Sequence, residues 1–402
     1  MSAPQATATP TTVDEAIATD AHLLSRELFS LRARLFPPAA SKALRSFTSG
    51  EAAALIGISD AYLRQISLAG DGPVPAVSAR GQRAYTLGQV NELRHFLSRD
   101  GRDYLPTRRP RDHLQVVAVT NFKGGSGKTT TSAHLAQYLA LRGFRVLAVD
   151  LDPQSSLSAL FGVQPETDLA PNETLYAALR YDDDRRPLAE VVRTTYFPGI
   201  DLVAANLELQ EFEHDTPRVL AQGRRRGHDL FFARVQQTLA TVQGRYDVVV
   251  MDCPPQLGFL TLGALCAATG VLVTVHPQML DVASMSQFLL MTADLLGVVR
   301  NAGGDLRYDF LRYLVTRYEP QDGPQNQVVD FLRHLFGERV LASPMLKSTA
   351  VSDAGLTRQT LYEIGRHGVG RSTYGRAIES VDAVNGEIVR LILEAWGRAA
   401  PR

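Results

Sequence analysis

The run NFKGGSGKTTT, residues 121–131, sets two lysines, Lys123 and Lys128, five positions apart among glycines. Gly124, Gly125 and Gly127 let successive backbone N–H groups curl round an anion, with Ser126 between them. A following helix would aim its positive end at that anion. Lys128 adds a compact charge suited to β and γ phosphates, Thr129 a hydroxyl for Mg²⁺, and Thr130 continues the cradle. The usual phosphate loop, G-x-x-x-x-G-K-[ST], is met by Gly127, Lys128 and Thr129, whereas Phe122 stands where its first glycine belongs. One lysine suffices to hold a phosphate, so Lys123 is surplus to that task. A glycine-rich run by itself is more often a tight turn.

Carboxylates supply the second constellation. VDLDPQSS (149–156) carries Asp150 and Asp152, and VVVMDCPP (248–255) carries Asp252, each at the end of an apolar run. A single aspartate there is ordinarily a cap or turn residue. Three at strand ends beside a phosphate loop make a magnesium site the better reading, with Asp152 and Asp252 joining Thr129 as candidate metal-site residues. Cys253 and Cys266 are the chain's two cysteines, too few for a four-ligand site. A cluster bridging two copies is conceivable, but small-residue packing is the commoner role for such cysteines.

These groups need a scaffold that gathers strand ends. Apolar, β-branched runs recur at 114–120, 144–150, 200–205, 246–252, 271–276 and 310–318, mostly separated by helical stretches. Near-continuous apolar strands imply burial on both faces, so residues 114–402 read as an α/β domain with a doubly wound, mostly parallel sheet. The loop then falls between the first strand and the helix KTTTSAHLAQYLALRG.

Ahead of it, residues 1–12 are small, polar and Pro-containing and read as a disordered tail. Residues 13–40 read as an N-terminal helix whose apolar stripe (Ala16, Leu23, Leu24, Leu28, Leu31, Leu35) either packs on its own chain or dimerises with a second copy. Residues 41–103 read as a winged helix-turn-helix: two short helices about Gly57-Ile58-Ser59, a hairpin about Arg80-Gly81-Gln82, and a third helix. Between 41 and 111 stand eleven Lys and Arg against six Asp and Glu. The local excess favours DNA, with Tyr62, Arg64, Arg80 and Arg83 as candidate contacts. Residues 104–113 are basic and broken by proline and read as a linker.

With these residues in hand, KGGSGKTT, VDLDPQ and VVVMDCPP together resemble the deviant-Walker ATPases, the group of the ParA partition proteins and MinD. FTSGEAAALIGISDAYLRQISLAG, GQRAYTLGQVNELR and MLKSTAVSDAGLTRQTLYE are similar to the RepA group of repABC plasmids, and the likeness runs from about Phe47 to Trp396. The resemblance implies an ATPase that uses ATP and Mg²⁺ and closes an ATP-dependent homodimer. In it Lys123 crosses to the partner's nucleotide, Lys128 serves its own, and Asp152 polarises the attacking water. Asp150 and Asp252 arrange magnesium and the switch loops. It further implies DNA segregation with a ParB/RepB-type partner, autorepression of the operon through the winged helix, and a cytoplasmic, nucleoid-associated location. Lys347, Arg358 and Arg371, with Arg366 and Arg376 nearby, would grip DNA without sequence preference. The family's DPQGN is DPQSS here, so the loop after Gln154 is expected to move differently.

Composition leaves room for this and trims the rivals. Forty-two basic and 42 acidic residues cancel, so no global field points to nucleic acid or membrane. No apolar run reaches membrane-spanning length, and the start lacks a signal-peptide pattern. Two alternatives remain: an ATP-sensing transcriptional repressor, and a MinD-like membrane ATPase suggested by the apolar stripe of EIVRLILEAWGRAAPR (387–402).

Overall fold

The computed structural model describes residues 12–35, 42–77, 81–100, 104–222, 230–365 and 370–398. It divides into two units, residues 1–43 and 44–402. The first is the helix Val13–Leu35, with Asp14 and Glu15 in its opening turn, where the helix dipole favours acids. Its Val13, Ile17 and Leu24 are exposed. The tail and the end of the helix expected to reach residue 40 lie outside the described residues.

Among the described residues, ten strands run through the second unit: β1 (Phe47–Thr48), β2 (Ala76–Val77), β3 (Arg83–Tyr85), β4 (Gln115–Thr120), β5 (Val146–Asp150), β6 (Arg193–Thr194), β7 (Ile200–Val203), β8 (Val248–Asp252), β9 (Gly270–Val275) and β10 (Phe310–Val315). Seven form one sheet, β10-β9-β4-β8-β5-β7-β6, parallel throughout except for the β6 edge. Every residue of β4, β5, β8 and β9 is buried, as helices on both faces require. Register then assembles the site. Asp150 of β5 lies opposite Asp252 of β8, and Val119 of β4 lies opposite the same Asp252, so the loop leaving β4 emerges beside both carboxylates.

The small N-terminal part of this unit follows its local signals. Thr48 and Glu51 form a capping box on helix Ser49–Ile56, Gly57 (φ 86°) ends it, and Ser59 caps helix Asp60–Ala69. β2 and β3 pair as an antiparallel hairpin, joined by the unforeseen β1. Thr86 and Gln89 then box the start of helix Leu87–Leu97.

This part shares one apolar cluster with the large sheet's helices, Leu63 and Val90 joining Leu139, Phe144 and Trp396. Arg94 pins the junction. It is 1% exposed and donates to Leu55 O (2.7 Å), Leu141 O (2.5 Å) and Asn91 Oδ1 (2.5 Å). Gly143 (φ 96°) makes room, because a Cβ there would meet the guanidinium at 3.2 Å. Burial first, then Arg142, pushes the Arg94 pKa down to about 10. Arg94→Leu strands the buried Leu141 carbonyl and the part-buried Leu55 carbonyl and is expected to destabilise the chain by about 2–4 kcal/mol in urea unfolding; no measurable change would contradict this role.

The segment 104–113, expected as a linker, is tied to the large sheet's layer. Arg108 donates to Tyr246 O (3.0 Å) and its N–H to Asp247 Oδ1 (2.9 Å), while Arg398 holds Thr107 O (3.1 Å). A polar, proline-broken composition permits an ordered strap when arginines find free carbonyls. The C-terminal stripe turns inward: Ile388, Ile392 and Trp396 are buried, and Trp396 Nε1 donates to His113 O at 2.9 Å. Contrary to the sequence expectation, one described helix, Met279–Asn301, is long and apolar enough to cross a membrane by length and composition. One such helix is weak evidence, and its first turn carries the buried Asp281.

Candidate functional site: a phosphate loop at the carboxyl edge

The loop between β4 and helix Lys128–Leu141 is braced from β9 and β10. Asn121 donates its amide to Thr274 O and accepts Lys123 N–H at 3.0 Å. Thr274 Oγ1 donates to Ser126 Oγ (3.0 Å), Thr316 Oγ1 to Ser126 O (2.8 Å) and Arg317 Nη1 to Gly125 O (3.2 Å). Gly127 has φ 87°, where a side chain is strained, and its Cβ would sit 3.4 Å from Thr316. The bracing groups take the loop's carbonyls and side chains, leaving a chain of N–H groups beside Lys128.

Lys128 is 7% exposed and curls back into the loop, donating to Lys123 O at 3.1 Å. Burial lowers its pKa, opposed by Asp252, Asp152 and Cys253. Gly124 and Gly125 are exposed, Ser126 is buried, and Thr129 and Thr130 are half-buried on the first turn of the helix.

Of the three carboxylates, Asp252 offers a free oxygen. Its Oδ1 accepts from Ser132 Oγ (2.9 Å), whereas the buried Oδ2 has no protein partner. Burial raises its pKa to about 6, against the pull of the Thr129 and Ser132 hydroxyls and Lys128. An orphaned buried carboxylate oxygen beside a threonine hydroxyl and an ammonium fits a hydrated Mg²⁺ with phosphate. Asp150 is different: both its oxygens are used, by Ser158 N (2.8 Å), Ser158 Oγ (2.7 Å) and Asp152 N (3.1 Å). Burial, then Asp252, lifts its pKa to about 8. Asp150 therefore ties down segment 150–158. Asp152 is half-buried, and its Oδ1 accepts Gln154 N at 2.9 Å. Ser155, standing where the resemblance has glycine, adopts φ 57°. A non-glycine residue there costs about 1 kcal/mol or more, so this turn is strained.

Lys123 does not enter its own loop. Its side chain is 44% exposed, and its ammonium pairs with Asp281, whose other oxygen meets His276 Nδ1 at 3.1 Å. Neighbouring Phe122 is 45% exposed and stacks on Phe288 at 6.4 Å. Sequence reading missed Asp281, His276, Thr274 and Thr316, because no local spacing links residues more than 140 positions away to the loop.

The candidate DNA contacts fall into two groups. Tyr62 (39% exposed) and Arg64 lie on helix Asp60–Ala69, Arg64 paired with Asp60 at 2.6 Å. Arg83 lies half-buried on β3, and Arg80 lies outside the described residues. Lys347 pairs with Glu319 at 2.8 Å, Arg358 sits in a φ 51° turn, and Arg371 opens the helix Arg371–Ala395. Nearby Glu363 is buried and accepts Thr360 N–H at 2.8 Å. Cys253 and Cys266 are free and buried, and among the described residues no His/Cys/Asp/Glu group could hold a metal by itself.

His134 links the phosphate-loop helix to the C-terminal part. Its Nδ1 bonds Thr130 O (2.7 Å), and its Nε2 accepts Leu361 N–H (3.2 Å). Desolvation depresses its pKa below the usual value. Stability from this neutral ring is present above about pH 6.5 and is lost as pH falls, at up to about 1.4 kcal/mol per unit. His134→Gln is expected to flatten the acid side of the stability profile; an unchanged slope would contradict the assignment.

An AAA domain family model matches residues 114–300, the stretch that holds the loop and the three aspartates. Replication protein A of Rhizobium rhizogenes is 56% identical over 381 residues, covering 94% of each chain. Protein SopA of Escherichia coli K12 is 31% identical over 335 residues, covering 81% of this chain and 82% of SopA. The chain belongs to the ParA-type partition ATPase family. A solved structure described as a partition protein, 18% identical with TM-score 0.65, covers 93% of this chain and 98% of its own and shares the ParA-type fold. The AAA match ends before β10, so Thr316 and Arg317, which brace the ParA-type loop, lie beyond it.

Proposed function

We propose that this chain is a DNA-partition ATPase that closes an ATP-dependent sandwich dimer and separates plasmid or replicon copies with a ParB/RepB-type partner. The observation that carries it is the division of labour between two lysines. Lys128 fills its own loop, while the half-exposed Lys123 reaches away from that loop to Asp281. A lysine that its own loop does not use supports a role toward another copy's phosphate.

ATP with Mg²⁺ would supply the negative charge that draws two copies together and, on hydrolysis, its removal. The N–H groups of residues 124–130 and the Lys128 ammonium bind and orient the phosphates. Thr129 Oγ1, Asp252 Oδ2 and Asp152 would hold the hydrated Mg²⁺, which would offset phosphate charge, and Asp152 would align water for attack. Asp150 and Ser158 fix the turn that carries Asp152. Residues 41–103 form a winged helix-turn-helix whose Tyr62, Arg64, Arg80 and Arg83 read the operator for autorepression. Lys347, Arg358 and Arg371 bind DNA phosphates without sequence preference, so their removal lowers the salt dependence of binding. Steady-state ATP turnover with and without DNA and the neighbouring gene's product tests the reading. Stimulation of about tenfold or more by both together is expected, and flat turnover would leave the nucleotide-sensing repressor as the better account.

A further inference from the structure

We propose that Asp281 is a latch that holds Lys123 inside its own subunit until nucleotide-dependent closure, so that the two lysine contacts compete. The inference rests on the dimer reading above. Asp281 is 8% exposed and sits in the first turn of helix Met279–Asn301, where the helix dipole favours an anion. One oxygen holds the Lys123 ammonium and the other meets His276. Lys123 cannot neutralise Asp281 and a second copy's phosphate at once.

A buried carboxylate that simply loses its partner is costly. Here departure of Lys123 leaves Asp281 with His276 and the helix N–H end, so the latch can open without stranding a charge. The loop is already braced independently of Lys123, through Asn121, Ser126 and Gly125. Only the lysine side chain therefore has to move. Phe122, next to Lys123 in the chain, and Met279 and Leu280, just before Asp281, are exposed apolar residues that closure would dehydrate.

The test is sedimentation of the full chain titrated with AMPPNP, alongside acetylation of Lys123 in the nucleotide-free protein read by mass spectrometry. Asp281→Asn is expected to dimerise at about five- to tenfold lower nucleotide and to acetylate Lys123 several-fold faster. Asp281→Glu should behave like the natural protein. His276→Ala, which leaves Asp281 more dependent on Lys123, should shift the titration the opposite way, a result general destabilisation would not give. Should Asp281→Asn titrate unchanged with Lys123 acetylation unchanged, while Lys123→Ala fails to dimerise, the latch is wrong and the dimer reading stands. Normal dimers from Lys123→Ala would overturn both.

Discussion

Lys123→Ala is expected to bind nucleotide with near-normal affinity yet fail to form nucleotide-dependent dimers, weakening association by roughly 100-fold or more. The size follows from the environment proposed for the contact. Truncating one partner of a desolvated, charge-assisted pair typically costs about 2–5 kcal/mol. The monomer's own phosphate site is untouched, since Lys128 and the loop N–H groups make it and the Lys123 side chain lies on Asp281. Lys128→Ala should show the reverse pattern, losing nucleotide first. Equilibrium nucleotide binding and sedimentation on the same samples separate the two. Equal loss of binding in both variants would mean that the lysines act together within one subunit.

The second large effect is expected from Asp152→Ala: nucleotide-loaded dimers that persist, with turnover down by about 10²–10⁴-fold. Asp152 is half-buried at the mouth of the site, and its backbone N–H anchors on Asp150 at 3.1 Å. Removing its carboxylate spares that anchor, so the fold and the phosphate cradle remain. Asp150→Ala is a different lesion, because it frees Ser158 and the whole turn. It should lose stability as well as activity. Unchanged turnover by Asp152→Ala would remove it from the chemistry.

Much of this was legible in the chain. Six apolar, β-branched runs became β4, β5, β7, β8, β9 and β10, because strands buried on both faces must be apolar throughout. β1 and β6 escaped notice, since two-residue edge strands have no periodicity to detect. The loop's chemistry was readable because glycine, lysine and threonine act there through contiguous backbone. Its bracing by Thr274 and Thr316 depends on which strands flank β4, and strand order is not written in local sequence. The same holds for Asp281, one aspartate among many until the sheet places it beside Lys123. Segment 104–113 misled in another way: arginine and proline read as solvated, yet Arg108 spends its guanidinium on carbonyls of the large layer. Ser155 was flagged as a departure, and its positive φ gives that departure a physical content.

The most direct measurement mixes two inactive variants, Lys123→Ala and Lys128→Ala, and assays ATP turnover with DNA and the partner protein. In a twofold dimer, each mixed pair contains one intact site, built from Lys128 of one copy and Lys123 of the other. At protein concentrations high enough for the pairs to assemble, a 1:1 mixture should therefore regain up to about a quarter of full activity. A mixture that stays as inactive as its components would show that both lysines must lie in one subunit, and the crossing of Lys123 would be refuted.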